Sequence, residues 1–210
     1  MSVSNTLPAV PPGAGPRQLH RVDTIAMDTW VNVQVVSPLP RARVEASIQR
    51  ALAWIGAVER AASRFEPEGE VLALARMPGK PVPVSPLLLK ATDFALQLAK
   101  LTGGVFDPTV GALLERRGFD RNYRTGAALD SGLGHGTVNY RDVVLDRRAQ
   151  TITLRRPLVL DLGAIAKGLA VDLVAHDLLA QGFHDFSVEA GGDIYAHGHN
   201  AAGLPWHRDF

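Results

Sequence analysis

Val159-Leu-Asp-Leu-Gly-Ala-Ile-Ala-Lys-Gly168 decides how this chain is read. Leu158-Val159-Leu160 reads as a short buried strand that stops at Asp161. A small-residue turn follows. A helix then opens with Lys167 in its first turn and Ile165, Leu169, Leu173 and Leu178 inward, and it ends near Gly182. A helix N-terminus offers unpaired N–H groups and partial positive charge, which suits phosphate. Lys167 adds a full charge, and Asp161 can hold a ligand hydroxyl or help organise a divalent cation. Gly163, Ala164 and Ala166 let a ligand approach the backbone. The same residues also fit an aspartate N-cap with a solvent-facing lysine, and locally both readings stand.

Outward from this segment the chain mixes strands and helices without steady β-α alternation, so the pattern predicts α+β rather than a doubly wound parallel sheet. On the N-terminal side, Ile25, Met27, Thr29, Val31, Val33 and Val35 alternate, which predicts one half-buried strand over 24–36. Pro38 and Pro40 end it. Val44, Ile48, Leu52, Ile55, Val58 and Ala62 mark an amphipathic helix over 41–63. Ser85-Pro86 is a helix start, with Leu89, Phe94, Leu96 and Leu98 following and Gly103-Gly104 stopping it. Asp107-Pro108 reads as N-cap and first residue of a short helix to Arg117, with Phe106 either stacking on a ring or filling the core. Residues 118–139 read as a long loop, and its Gly132–Gly136 run as flexible. Residues 140–145 and 151–154 read as a hairpin. Beyond the helix, a strand from Phe186 breaks at Gly191-Gly192, a turn, and resumes near Ile194. His197 and His199 read as exposed histidines rather than metal ligands.

Composition narrows the function. Across 210 residues, 22 basic residues against 21 acidic ones leave a net charge of +1, with no excess for non-specific nucleic-acid binding. The absence of cysteine excludes disulfides, cysteine zinc sites and a cysteine nucleophile. No G-x-S-x-G elbow supports a hydrolase triad. The Pro/Gly/Ser-rich start, residues 1–20, reads as a disordered tail before one domain over 21–210. With no signal-peptide core and no membrane-length apolar run, the sequence predicts a cytoplasmic protein without a membrane segment.

The motifs occur together and in the order of one known family. Met27-Asp28-Thr29, Ser63-Arg64-Phe65, Gly104-Val-Phe-Asp-Pro-Thr-Val-Gly111, Asp161 to Gly168, Gly191-Gly-Asp193 and Gly203-Leu-Pro-Trp206 resemble the markers of the ApbE family of FAD:protein FMN transferases. The resemblance covers about residues 22–206. It implies an ApbE-like, T-fold-related α+β fold, a mixed sheet with packed helices. It implies contacts to FAD from Met27, Phe65, Val105, Phe106, Asp107, Asp161 and Lys167, and a backbone carbonyl of Ala164 given to Mg²⁺. The implied reaction is Mg²⁺-dependent cleavage of FAD, with FMN attached to a threonine of an acceptor flavoprotein and AMP released. The resemblance names no catalytic residue within this stretch. Asp28 stands where the family carries glycine. Later family segments, His-Ile-Ile-Asp-Pro and Ala-Asp-Ala-x-x-Thr, do not occur in these residues. The chain therefore reads as truncated, with C-terminal strands missing. A non-catalytic FAD-binding module, or a fragment that does not fold stably alone, is the competing expectation. The family is often exported and membrane-anchored.

Overall fold

The structure, a computed structural model, describes residues 16–133 and 137–207. Two antiparallel sheets and five helices share one core. The strands are β1 (Gln18–Ala26), β2 (Thr29–Ser37), β3 (Pro81–Pro83), β4 (Val143–Asp146), β5 (Thr151–Leu154), β6 (Phe186–Ala190) and β7 (Asp193–His197). The helices are α1 (Arg41–Ala62), α2 (Glu70–Ala75), α3 (Pro86–Leu101), α4 (Gly111–Arg116) and α5 (Gly163–Ala180). One sheet runs β1-β2-β6-β7 and the other β3-β5-β4. The α+β class holds. Where a mixed sheet was expected, every strand pairing among the described residues is antiparallel.

The stretch 24–36 is a hairpin, not one strand. Met27 and Asp28 form its two-residue turn, with φ of 52° and 58°. Positive φ at both central positions is the turn geometry that matches strand twist. The two-residue turn pairs Ile25 with Trp30, so the inward face changes parity across it. Val31, Val33 and Val35 are buried, whereas Ile25, counted with them from the alternation, is 68% exposed. β1 begins at Gln18 and His20 is buried, so residues 18–20 belong to the sheet and not to a tail. The rest of the expected tail, residues 1–15, lies outside the described residues, as do residues 134–136 of the glycine run.

α1 buries Val44, Ile48, Ala51, Ile55 and Val58 and packs against α5 and the larger sheet. α3 starts as predicted: the Ser85 hydroxyl accepts from the Leu88 N–H at 3.2 Å, with Pro86 next. Phe94 is exposed on it. Gly191 and Gly192, with φ of 58° and 96°, turn β6 back into β7, so the expected broken strand is a hairpin.

Around the central motif three expectations change. Leu158, Val159 and Leu160 are fully buried but form no strand. Two hydrogen bonds hold them instead: Gly111 N–H donates to Val159 O at 3.1 Å, and Asp161 N–H donates to Pro108 O at 2.7 Å. The short helix α4 starts at Gly111, so Asp107 is not its N-cap. α5 starts at Gly163, which makes Lys167 its fifth residue, at the opening of the second turn. Leu169 and Leu173 are half-buried, while Ile165, Val171, Val174 and Leu178 carry the core face.

Candidate functional site

A cavity of about 430 Å³ opens between four segments. Met27 and Asp28 reach it from the tip of the β1–β2 hairpin. Glu59, Ala62 and Ser63–Glu66 reach it from the end of α1. Phe119 and Arg121–Tyr123 come from the long loop, and Asp161–Gly163, Ala166 and Lys167 come from the start of α5. Sequence positions some 140 residues apart meet here because β2 pairs with β6 and α5 precedes β6.

Arg64 organises the site. Its side chain is only 4% exposed. Nε donates to Asp161 Oδ2 at 2.6 Å, and Nη2 donates to Phe119 O at 2.5 Å. The guanidinium lies 4.1 Å from the centroid of the Phe65 ring, within cation–π range. Nη1 is buried with no hydrogen-bond partner. Asp161 is thereby fixed: Oδ1 accepts from Gly163 N–H at 3.0 Å while Oδ2 takes the arginine. A carboxylate has about four lone-pair directions, so both oxygens keep acceptor capacity toward the cavity. Asp161 is not the N-cap of α5, a position held by Leu162; it stands one residue earlier, accepts from the Gly163 N–H and lines the cavity. Lys167 Nζ donates to Gly163 O at 3.4 Å and lines the same wall.

The loop of residues 118–126 is pinned along the cavity wall. Asn122 Nδ2 donates to Phe65 O at 3.1 Å. Tyr123 Oη donates to the buried Glu59 Oε1 at 2.9 Å, and Arg124 donates to both Glu59 Oε2 and Tyr123 Oη. Those bonds, the tyrosine one first, hold the Arg124 guanidinium above its ordinary pKa, so it stays charged. The wall therefore mixes Arg64, Arg121 and Lys167 with Asp28, Glu59, Glu66 and Asp161. Phe65, Phe119 and Tyr123 add aromatic side chains to the same lining.

Of the predicted site residues, Met27, Phe65, Asp161 and Lys167 line the cavity together. Val105, Phe106, Asp107 and Ala164 are not among its lining residues. Val105 is 93% exposed. Phe106 packs partly against the core. Asp107 bridges two segments: Oδ1 accepts from the Thr109 N–H and hydroxyl, and Oδ2 accepts from the Tyr140 N–H at 2.9 Å. Ala164 is exposed in the first turn of α5. Arg64 belongs to a marker that implies no role for it, Phe119, Asn122 and Tyr123 fall in a stretch without a motif, and Glu59, whose spacing predicts a place on the solvated face of α1, is buried. Burial of a charged residue is not visible in sequence, and a loop without periodicity hides its contacts.

His197 is exposed and its Nδ1 sits 2.7 Å from His184 O. His199 lies near Asp185. Among the described residues no group of three or more His, Cys, Asp or Glu forms a metal cluster. The side chains here therefore do not by themselves supply a full ligand set for Mg²⁺, which ordinarily takes one or two carboxylates and completes its shell with water and substrate phosphate. Also among the described residues, no helix is long and apolar enough to cross a membrane.

Known proteins place this architecture. The FAD:protein FMN transferase of Rhodobacter capsulatus is 34% identical over 172 residues, covering 77% of this chain and 32% of its own length. The enzyme of the same name from Treponema pallidum is 30% identical over 190 residues, covering 87% of this chain and 52% of its own. The solved structure of the flavin transferase ApbE from Vibrio cholerae superposes with a TM-score of 0.75 at 26% identity, covering 91% of this chain and 63% of its own. The chain thus spans about a third to a half of these curated relatives. The ApbE family profile matches residues 27–207, a span that runs from the hairpin tip at the cavity through Arg64 and the start of α5, and by that match the chain belongs to the ApbE family.

Proposed function

We infer that the cavity binds FAD and that the chain carries the flavin-binding part of an FAD:protein FMN transferase. One observation carries the reading: Met27, Phe65, Asp161 and Lys167, drawn from three segments, line a single cavity of about 430 Å³. Its chemistry suits a dinucleotide. Phe65 and Met27 offer apolar and aromatic surface to a ring. Lys167 and the N-terminal end of α5 place positive charge where a pyrophosphate would lie. Arg64 holds Asp161 in one orientation, so its remaining lone pairs are aimed before the ligand arrives.

In the transfer reaction, the hydroxyl oxygen of an acceptor threonine bonds to the flavin-side phosphorus of FAD. The P–O bond to the bridging oxygen breaks, AMP leaves with that oxygen, and the hydroxyl proton passes to a base. The residues described here bind and orient the dinucleotide and neutralise part of its charge. Mg²⁺, when bound, withdraws charge from the pyrophosphate. The curated relatives named above bear the name FAD:protein FMN transferase, and this chain spans about a third to a half of their length.

The test has two parts. Titration with FAD, followed by flavin fluorescence quenching, is expected to show saturable binding that Asp161→Ala weakens; absence of binding by the wild-type chain would remove the reading. Incubation with FAD, Mg²⁺ and a threonine-bearing acceptor flavoprotein, followed by flavin fluorescence on a denaturing gel, then separates a transferase from a binding module. A fluorescent acceptor band with AMP release supports transfer. Binding without either supports the module.

A further inference from the structure

We propose that Phe119 is a ligand-contact residue of the cavity, giving a second aromatic surface beside Phe65 for a flat heteroaromatic ring. The proposal rests on the flavin reading above. Phe119 lines the cavity and is 63% exposed. A phenylalanine ring left facing water is ordinary on an open loop and informative in a cavity wall.

The backbone of Phe119 is not that of an open loop. Its N–H donates to Leu114 O at 3.0 Å, and its carbonyl accepts from the buried Arg64 at 2.5 Å. Gly118, with φ of 89°, makes the turn out of α4 that brings the next residue back against Arg64. The same guanidinium lies over the Phe65 ring. One buried cation therefore fixes both aromatic residues relative to each other and to Asp161. The Phe119 ring is solvated while its anchor is immobile, so closing on a ligand orders only two side-chain torsions. Stacking needs a π-face and no hydrogen-bond pattern, so the matching chemistry is a planar ring system. FAD has one at each end.

The experiment compares the full chain with Phe119→Leu and Phe119→Trp. Kd is measured separately for FAD, FMN and AMP, and each protein is melted by circular dichroism. The expected result is a Kd for FAD raised by about 10-fold or more in Phe119→Leu, the range set by loss of one stacked ring. Phe119→Trp restores it to within a few-fold, and the melts coincide because the ring touches no core. The deficit falls on FMN or on AMP but not on both, which identifies the ring. Equal FAD affinity in Phe119→Leu and wild type overturns the proposal and leaves the flavin reading standing. An equal deficit for FMN and AMP with a lowered melt also overturns it, since that is the signature of a structural residue. Failure of the wild-type chain to bind any of the three overturns the flavin reading and the proposal with it.

Discussion

The Arg64–Asp161 pair shows how much one buried side chain can decide. Three of its contacts reach different elements: the carboxylate before α5, the carbonyl of Phe119 and the ring of Phe65. Removing the guanidinium leaves Asp161, one-fifth exposed, with a charge partly out of water. Breaking a fully buried pair costs about 3–5 kcal/mol, and the partial exposure here brings the expected loss for Arg64→Met to about 2–4 kcal/mol. Arg64→Lys is expected to recover little, because an ammonium cannot donate along three directions in one plane. Urea unfolding of Arg64→Met, Asp161→Leu and the double variant is the check, with the double expected to lose less than the sum of the singles. Residue identity alone revealed the ends of this pair and not the pair. Asp161 stood out because a carboxylate after an apolar run is unusual. Arg64 sat in a three-residue marker that gave no hint of its burial.

At the scale of elements, glycine fixes where the two long motifs meet. A Cβ at Gly111 would lie 2.6 Å from Val159 O and 2.9 Å from the Val159 side chain. Nothing flexible can give way, because the contact is with backbone and Gly111 N–H itself bonds that oxygen. Gly111→Ala is expected to cost about 1–3 kcal/mol, the range for overpacking. Gly168, inside α5 with open space around its Cβ position, is the opposite case. There Ala is expected to add about 0.5–1 kcal/mol through helix propensity and unfolded-state entropy. Equilibrium denaturation of both variants is the measurement. A second inter-element link is ionic: Arg147 in the β4–β5 turn grips Asp93 of α3 with a two-pronged bond, Nη2–Oδ1 at 2.5 Å and Nε–Oδ2 at 3.2 Å. That hydrogen bonding holds the Asp93 carboxyl below its ordinary value despite partial burial. A lowered folded-state pKa means the stabilisation is fully present above the ordinary carboxylate range and is lost as pH falls through the folded value. Arg147→Ala is expected to cost under about 1 kcal/mol at neutral pH, and the gap to wild type should close in strong acid and shrink in high salt. Urea titrations at neutral and acid pH test it. The long helices were the legible elements because their three-to-four apolar spacing is a local pattern. The β1–β2 hairpin was hidden because Met27-Asp28 lacks the Asn-Gly signature, and the alternation runs on through the turn although the inward face switches there.

For the whole molecule, ligand binding and folding are one equilibrium. If the cavity takes FAD, a hundredfold excess over Kd stabilises the chain by about 2.7 kcal/mol. For a domain of this size that is a rise of about 5–10 °C in melting temperature. Far-ultraviolet circular dichroism melts with and without FAD test it, and Asp161→Ala should lose most of the rise. The class of fold was readable because strands and helices fail to alternate, and the family because its motifs keep their order. The assembly of the cavity was not readable, since no local pattern says that β2 lies beside β6 or that Asn122 bonds the Phe65 carbonyl. That β2–β6 pairing also sets a clock. The β1–β2 hairpin can close while it is still near the ribosome, but Val33 pairs with Val188, and synthesis at about 5–20 residues per second puts roughly ten to thirty seconds between them. During that wait Val31, Val33 and Val35 form an apolar strand edge with no partner. The newborn protein is thus most open to mispairing before translation ends, and the interval lengthens with every codon that slows elongation between β2 and β6.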